Sequence, residues 1–341
     1  MAADILKHTW RSSKISVKDK SDKELELSDL ALKMARKELR EDRSAREQCL
    51  EQLRNWLNKN EDVENVRTDD RFLLRFLRAK KFSVPMAQQI ILKYLNLKRV
   101  FPQMTANLDY KSKSVHEILT NGYLTVSPVR DQNGRRVIII RASCFNPKIY
   151  TSYDMAKAYF VALETLLEDP ENQVLGFTHI CDITGITAAH ITNWSPSDFS
   201  RILNWGEQSV PARHKAVHLI NVPHAVKFVL DFAKSKVSAK MKDRFQVHTN
   251  MFELQKKVDK SCLPVELGGN IPMNEMIEYW TSEMEAKRDV LIALDQMILH
   301  SDRGITRRHD KNNNNNNKNS INSMQANFES ISGSFRKLEV D

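Results

Sequence analysis

Cysteine is scarce in this sequence, and its spacing excludes two common classes of protein. The 341 residues contain four cysteines, which lie far apart and form no CxxC motif and no Cys/His pairing. Small secreted domains and structural zinc sites both depend on closely spaced cysteines. We therefore expect reduced thiols, a cytoplasmic protein and no metal site.

Long apolar runs and enzyme motifs are absent as well. No stretch approaches the roughly 18 apolar residues that span a bilayer, and the first residues lack the apolar core of a signal peptide. The sequence contains no GxGxxG, P-loop, GxSxG or HExxH motif. His214 and His218 are four residues apart, but in a predicted strand this spacing does not converge on a metal. We predict no enzyme and no cofactor, although a Ser/His/Asp triad assembled from distant segments would leave no motif.

Positive charge is what the chain has in excess. The net charge of +9 favours an anionic partner, either phospholipid or nucleic acid. The aromatic residues lie in apolar periodic segments and are not interleaved with the cations, as base stacking would require. The composition therefore favours an anionic membrane surface and argues against nucleic acid.

The N-terminal part has the periodicity of a small all-helical unit. Apolar residues recur at helical spacing over 28–58 and again over 84–100, and Pro102 ends the unit. Between them a helix begins with Thr68 as its N-cap. We expect one face of this helix to be buried and its arginines to be exposed: Phe72, Leu73, Phe76 and Leu77 against Arg71, Arg75 and Arg78.

The remainder alternates between strands and helices. Strands over 123–129 and 136–142 are joined by DQNG, where Asn133-Gly134 supplies the positive φ of a hairpin. Further strands are predicted over 177–183, 216–221 and 245–248, and helices over 153–168 and 197–207. This order predicts an α/β fold with a mostly parallel sheet and one antiparallel edge hairpin. The predicted boundaries are a flexible arm (1–27), a helical domain (28–102), an α/β domain (115–283), a C-terminal helix (284–300) and a disordered Asn-rich tail (301–341).

The segment 209–244 combines a broad apolar helix surface with basic residues. After a predicted strand, Pro223 opens a short helix whose apolar side chains include Val226, Phe228, Val229, Leu230, Phe232 and Ala233. At 100° per residue the apolar surface covers about 200° of the helix, roughly twice what a core-facing helix needs. This pattern is typical of a lid that covers an apolar compound and also touches a membrane. We expect four lid residues to insert shallowly: Val226, Val229, Leu230 and Phe232.

Four sequence blocks resemble those of the CRAL-TRIO lipid-binding family. They are RTDDRFLLRFLRAKKF, GFTHICDITG, SVPARHKAVHLINVP and CLPVELGGN, in this order. The chain is most similar to the α-tocopherol transfer, cellular retinaldehyde-binding and clavesin branch, from about residue 45 to 283. The resemblance implies a three-helix N-terminal domain and an α/β domain that encloses one hydrophobic ligand under a movable helical gate. It also implies a carrier that delivers lipid to membranes, and no enzyme.

Carried over by position, the resemblance places the pocket wall on Tyr159, Phe160, Leu163, Phe177, Cys181, Trp194, Ile202, Trp205, Val210 and Val217. Most are apolar or aromatic, as an apolar cavity requires. Tyr159 and Leu163 stand where the tocopherol branch has small hydroxyl residues, and Cys181 replaces a bulkier residue. We therefore expect a cavity of different shape, with different hydrogen bonds. His179 shares a strand face with Phe177 and Cys181, and it either donates a hydrogen bond to the ligand or is a core histidine bonded to backbone.

Cations occupy all the positions that bind phosphoinositide head groups in that branch: Lys80, Arg213, Lys215, Lys240 and Arg244. Arg213 and Lys215 lie two apart in an extended segment, and Lys240 and Arg244 lie four apart on one helix face. Each contributes about 1 kcal/mol near an anionic bilayer. A solvated basic face is the alternative. Ala212 stands where phosphatidylinositol-transfer relatives of the yeast type have glutamate, which disfavours a whole phosphatidylinositol in the pocket.

The resemblance thus predicts a cytoplasmic carrier of one small hydrophobic ligand, similar to a retinoid or tocopherol. Its association with phosphoinositide-containing membranes is expected to be peripheral and reversible, because a handful of cations gives limited binding energy. A phosphoinositide-binding membrane-trafficking adaptor of clavesin type is the alternative function.

Overall fold

The computed structural model describes residues 27–306, in which a helical unit precedes an α/β unit. The first helices are α1 (Asp29–Met34), α2 (Arg43–Lys59), α3 (Asp70–Ala79), α4 (Val84–Val100), α5 (Pro102–Thr105) and α6 (Lys113–Thr120), with the short strand β1 (Val63–Glu64) between α2 and α3. The α/β unit contains β2 (Leu124–Val126), β3 (Arg136–Arg141), α7 (Ser152–Leu167), α8 (Pro170–Leu175), β4 (Phe177–Asp182), α9 (Ala188–Thr192) and α10 (Pro196–Ser209). It continues with β5 (His214–Ile220), α11 (Lys227–Ser235), α12 (Ala239–Lys242), β6 (Phe245–His248), α13 (Met251–Gln255), α14 (Met273–Ala293) and β7 (Ile298–Leu299).

The central sheet has the strand order β2-β3-β4-β5-β6. Its β2–β3 pair is antiparallel and the other three pairs are parallel, which confirms the predicted sheet. The predicted hairpin joins β2 to β3, with Gly134 at φ 74° and its backbone N–H donating to the Asp131 carbonyl at 2.8 Å. Glycine suits this turn because positive φ carries no steric cost without a Cβ.

The two faces of the sheet are covered differently. One face packs Ile139, Ile180 and Ile220 against residues that follow the sheet, including Leu254 and Leu263. On the other face, Phe177 at the start of β4 joins the main core that extends through α7 into the helical unit. Because successive strand residues alternate between faces, His179 and Cys181 lie on the same side as Phe177. That side carries the candidate site.

The helix predicted over 28–58 is interrupted. After α1, residues Ala35–Leu39 form a π-helical turn, and Arg40 takes the left-handed conformation at φ 64°. Asp42 then caps α2, accepting a hydrogen bond from the Ala45 backbone N–H at 2.8 Å. The apolar periodicity runs across the break because both segments bury side chains, so spacing alone did not reveal it.

Two of the three arginines that were predicted to be exposed on α3 are buried. Arg75 is 0% exposed and Arg78 is 1% exposed, while the predicted apolar residues of this helix are buried as expected. Arg75 pairs with Glu164 at 2.7 Å and with Glu168 at 2.5 Å, and Arg78 pairs with Glu41 at 2.8 Å. These acids lie far away in sequence, so helical periodicity could not identify them. The helix also starts one residue later than predicted, since its N-cap is Asp69 in place of Thr68.

The C-terminal part differs from the predicted helix over 284–300. Helix α14 begins at Met273 and ends at Ala293, and Ile298–Leu299 forms β7, which pairs antiparallel with β1. Residues 301–306, which were predicted to belong to the disordered tail, are described, and the Gly304 carbonyl accepts a hydrogen bond from the Gln89 side chain at 2.9 Å. Residues 1–26 and 307–341, which hold most of the predicted arm and tail, lie outside the described residues. Between residues 27 and 306 no helix has both the length and the apolarity to cross a membrane.

Candidate functional site

The candidate ligand site lies between the sheet and α7. The Tyr159 hydroxyl on α7 shares a hydrogen bond with Nε2 of His179 on β4 at 2.9 Å. The His179 ring lies 5.0 Å from the His214 ring on β5, centroid to centroid. Burial and the nearby His214 hold the pKa of His179 well below its usual value, so the imidazole is neutral. A neutral imidazole and a phenol give this otherwise apolar region its polar groups.

Side chains around this region keep accessible surface although they lie inside the protein. Cys181 and Tyr159 are only half-buried. Yet burial raises the pKa of the Cys181 thiol to about 12 and also raises the pKa of Tyr159. We infer an enclosed space at this position, because both side chains keep accessible surface while burial disfavours their charged forms. Trp194 and Ile202 are half-buried in the same way and border the main core.

Most predicted wall residues surround this enclosed space or the core beside it, but two turn toward the helical unit. Phe160 is buried on another side of α7 from Tyr159, in a small cavity that it shares with Tyr94 and Glu164. The Trp205 ring packs edge-on against Phe101, 5.4 Å away. The physical reason is that other elements cover α7 and α10 on two sides. The position of a residue in a sequence block shows which helix it belongs to, but not which side of that helix it lies on. Of the remaining wall residues, Leu163, Phe177 and Val210 belong to the buried core, and Val217 is 8% exposed beside His179.

A cleft of about 500 Å³ lies elsewhere on the molecule, between α2 and α4. Its lining includes Trp56, Gln89 and Gly304 and no predicted site residue. This cleft is therefore separate from the enclosed space.

The lid, here the turn and helix over 224–235, is closed against α9 and α10. Val226 and Phe232 are buried in a small cluster with Ile191, and Val229 packs against it. The Phe232 ring stacks on Phe199, with 6.4 Å between centroids. In this arrangement α9 and α10 cover Val226 and Phe232, so their insertion into a membrane requires this helix to move and stays a prediction. Leu230 is half-buried.

Four of the five predicted cations meet at one edge of the sheet: Arg213, Lys215, Lys240 and Arg244. Arg213 and Arg244 directly precede β5 and β6, and the Val217 N–H donates to the Arg244 carbonyl at 2.9 Å. Since parallel strands begin at the same edge, residues that precede them lie side by side. Lys215 has no partner in the β4–β5 register, which passes from His214 to Ala216. Such a bulge re-aims a side chain.

Gly176 allows Arg213 to approach β4. Its φ of 81° and ψ of −158° belong to a conformation that other residues rarely adopt. A Cβ at this position would lie 2.2 Å from the Arg213 carbonyl oxygen. The Phe177 N–H donates a hydrogen bond to that carbonyl at 2.9 Å, which pairs the start of β4 with the residue before β5. The glycine therefore fixes the backbone that carries Arg213.

The cation cluster, defined by Arg213, Lys215, Lys240 and Arg244, is held together against mutual repulsion. Burial lowers the pKa of Lys240, and the charges of Arg244, Lys81 and Arg213 lower it further. Burial and the charge of Arg213 likewise lower the pKa of Arg244. Cations that repel one another in a partly buried site favour a bound anion.

Sequence reasoning missed two further cations beside the cluster. The charge of Arg135 lowers the pKa of Arg213, after the larger effect of burial, and Lys81 acts on Lys240. Arg135 directly precedes β3, so the rule about the starts of parallel strands could have found it. Lys80, predicted as the fifth cation, is the C-cap of α3, one residue before Lys81.

One carboxylate already contacts the cation cluster. Oε2 of Glu38 lies 2.5 Å from Nη2 of Arg213 and 2.7 Å from Nζ of Lys215. Against the effect of burial, the hydrogen bonds and charges of Lys215 and Arg213 lower the pKa of Glu38. No sequence pattern relates Glu38 to a segment about 175 residues later.

The buried histidines predict a loss of stability in mild acid. Burial lowers the pKa values of His214 and His218 to about 4, from 6.5. Between these values the unfolded chain binds more protons than the folded chain, so stability rises with pH and is lost as pH falls from about 6.5 to 4. We expect the melting temperature to fall across this window, and less steeply in a His214→Phe variant.

A matched control at a position without a titratable group, Val247→Phe on β6, should keep the wild-type pH dependence of melting. Equal slopes for wild type and His214→Phe would contradict the assignment to His214.

The fold defines a class of protein: an α/β module with a mostly parallel sheet, a helical N-terminal unit and a helical segment over 224–235 packed against α9 and α10. Family models identify it further. The CRAL/TRIO domain matches residues 120–269, and the CRAL/TRIO N-terminal domain matches residues 37–95. The chain belongs to the CRAL-TRIO family, whose members are lipid-binding carriers.

Similar proteins include members of two named groups. The chain is 32% identical to the "Alpha-tocopherol transfer protein-like" protein of Homo sapiens over 236 residues, which cover 69% of this chain and 68% of that protein. It is 29% identical to "Clavesin-1" of Xenopus laevis over 246 residues, 72% of this chain and 74% of that protein. The solved structure titled "Crystal structure of Sfh5" aligns with a TM-score of 0.46 and 17% identity, over 72% of this chain and 99% of that one.

Proposed function

We propose that the protein carries one small hydrophobic ligand in the enclosed space and exchanges it at phosphoinositide-containing membranes. The observation that carries the proposal is the set of half-buried side chains, shielded from bulk water, between the sheet and α7. Tyr159 and Cys181 keep accessible surface there, as do Trp194 and Ile202. A dry, mostly apolar space with few polar groups is typical of a small-molecule site. Membership of a family of lipid-binding carriers supports the same conclusion.

The chemistry of the enclosed space supports a retinoid- or tocopherol-like ligand with one polar end. Aromatic and aliphatic side chains supply most of its boundary, and each group desolvated by an apolar ligand contributes about 1–3 kcal/mol. The hydrogen-bonded Tyr159 and His179 are the polar groups beside it, at 2.9 Å from each other. A single hydroxyl or carbonyl on the ligand would complete their hydrogen bonding. A charged head group is disfavoured there, because the neutral His179 supplies no compensating charge.

Exchange at the membrane rests on the cation cluster and the lid. Both lie in one continuous stretch, since the lid connects β5 to the segment with Lys240 and Arg244. At the end of the lid, the Ser238 N–H donates to the Glu207 carboxylate on α10 at 2.8 Å. Attraction of the cations to anionic lipid would act on this connection and open the lid, after which Val226 and Phe232 become free to touch the bilayer. Such binding is peripheral and reversible, and suits a cytoplasmic protein.

A second candidate function is a phosphoinositide-binding trafficking adaptor of clavesin type. The cation cluster favours it, because an anion could bind at the edge of the sheet whether or not the enclosed space holds a ligand. The similarity to "Clavesin-1" supports it as well. The two functions differ in what the enclosed space contains.

Native mass spectrometry of the purified protein distinguishes them. We expect a hydrophobic molecule of a few hundred daltons, bound one to one and recovered by organic extraction. Cys181→Trp places a large ring in the enclosed space and is expected to weaken the affinity for the ligand about tenfold or more, since one lost apolar contact and a clash together exceed 1.4 kcal/mol. Val247→Trp, at a 51% exposed position on β6, is the matched control and should retain the ligand. If the protein is folded and binds vesicles but contains no ligand, the carrier function is overturned and the adaptor function remains.

A further inference from the structure

The Glu38 carboxylate occupies the position where an incoming anion would meet two members of the cation cluster. A single oxygen, Oε2, contacts both Arg213 and Lys215, at 2.5 and 2.7 Å. The two basic side chains are 13% and 16% exposed, so the carboxylate and the protein around it cover most of their surface. A head group that uses these cations must therefore displace Glu38.

The segment that carries Glu38 is attached unevenly on its two sides. On its C-terminal side, Glu41 is 3% exposed and its Oε1 forms a 2.8 Å ion pair with the buried Arg78. On its N-terminal side, Leu27, Ala31 and Ala35 pack in a small apolar cluster with Val174 and Leu175, and the Ser28 N–H donates to Oε1 of Glu171 at 2.9 Å. Glu38 lies between these attachments in the π-helical turn, followed by the left-handed Arg40. Movement of this turn would release Glu38 while the Glu41–Arg78 pair stays in place.

The charges set which anions can displace Glu38. A carboxylate carries one negative charge, and so does a phosphodiester, whereas a phosphate monoester carries about −1.5 to −2 with three acceptor oxygens. Exchange of Glu38 for a diester therefore brings little electrostatic gain, while exchange for a monoester adds charge and hydrogen bonds in a site of neighbouring cations. Arg244 and Lys240 are close enough to Glu38 for its charge to act on them.

We propose that Glu38 is a built-in competitor in the cation cluster that selects head groups carrying phosphate monoesters over diesters and carboxylates. This inference rests on the proposed membrane function. It assigns specificity to a residue of the N-terminal segment that is not among the positions implied by the family resemblance. The ligand chemistry is a phosphate monoester on an inositol ring, whether it belongs to a lipid head group or to a soluble inositol phosphate.

Vesicle binding by Glu38→Gln tests the proposal. The vesicles would consist of neutral phosphatidylcholine with added phosphatidylserine, phosphatidylinositol or a phosphatidylinositol bisphosphate. Calorimetry with inositol trisphosphate would show whether a soluble inositol phosphate binds as well as the lipid head group does. We expect Glu38→Gln to bind all three vesicle types about fivefold more tightly than wild type, since about one charge of competition is removed for every anion. Vesicles with phosphatidylserine or phosphatidylinositol, which wild type binds weakly, should then bind measurably. Glu38→Asp keeps the charge and should restore the wild-type affinities.

The matched control is Glu47→Gln, which changes the net charge equally at an exposed position on α2, where Glu47 pairs only with Arg43 among the ion pairs described. If Glu38→Gln binds all vesicles as Glu47→Gln does, or more weakly, the competitor role is overturned. The proposed function is tested separately by Arg213→Ala/Lys215→Ala. If wild type binds bisphosphate vesicles and this double variant does not, the membrane site stands whatever Glu38 does. If wild type and Glu38→Gln both fail to bind bisphosphate vesicles, both proposals fall.

Discussion

Replacement of Arg75 by Met is expected to lower the free energy of unfolding by about 3–5 kcal/mol, because it leaves the buried Glu164 without its cation and Glu168 with Arg67 alone. Arg75 is 0% exposed and contacts Glu164 and Glu168, which are each 2% exposed in their side chains. The Tyr94 hydroxyl also donates to Glu164 at 2.9 Å. The network joins α3 and α4 of the helical unit to α7 of the α/β unit, so its loss should weaken the contact between the two.

Chemical denaturation monitored by tryptophan fluorescence measures this effect. Arg43→Met is the matched control, since Arg43 forms an ion pair with Glu47 while 92% exposed, and solvent screens an exposed pair of this kind so that it contributes little to stability. A double variant, Arg75→Met/Glu164→Gln, removes the uncompensated charge and should recover part of the loss. Equal effects of Arg75→Met and Arg43→Met would show that the buried network contributes little to stability.

The sheet could be predicted from sequence because its strands are short apolar runs separated by amphipathic helices. The strand predicted over 245–248 coincides with β6, and the helix over 84–100 coincides with α4. In both cases local spacing and neighbouring turn residues decide the structure. The π-helical turn over 35–39 was missed, because its cause is the capping and packing of the segments beside it.

The candidate site was predictable only in part, for the same physical reason. Arg213 and Arg244 precede strands, and parallel topology alone brings them to one edge of the sheet. The orientation of Phe160 and the burial of Phe232 depend on which helices cover them. The Glu38 contacts and the acids beside Arg75 are long-range ion pairs, which follow from tertiary packing and leave no periodic signal.

Arg213→Ala/Lys215→Ala is expected to produce the largest functional effect. At about 1 kcal/mol for each cation near an anionic surface, the loss of two should weaken binding to phosphoinositide vesicles by about thirtyfold. The enclosed space lies elsewhere on the sheet, so the ligand content should stay that of wild type. Because salt screens these charges, the difference should shrink as ionic strength rises. Lys59→Ala/Lys111→Ala removes two exposed lysines outside the cluster and should behave as wild type.

Ligand transfer between vesicles tests the central claim most directly. The protein would be loaded with a fluorescent retinoid or tocopherol analogue and mixed with acceptor vesicles that contain or lack a phosphatidylinositol bisphosphate. The account predicts release that is faster with the bisphosphate, strongly slowed by Arg213→Ala/Lys215→Ala, and unchanged by the control pair. Release at the same rate from the double variant as from wild type, on bisphosphate vesicles, would contradict delivery through the cation cluster.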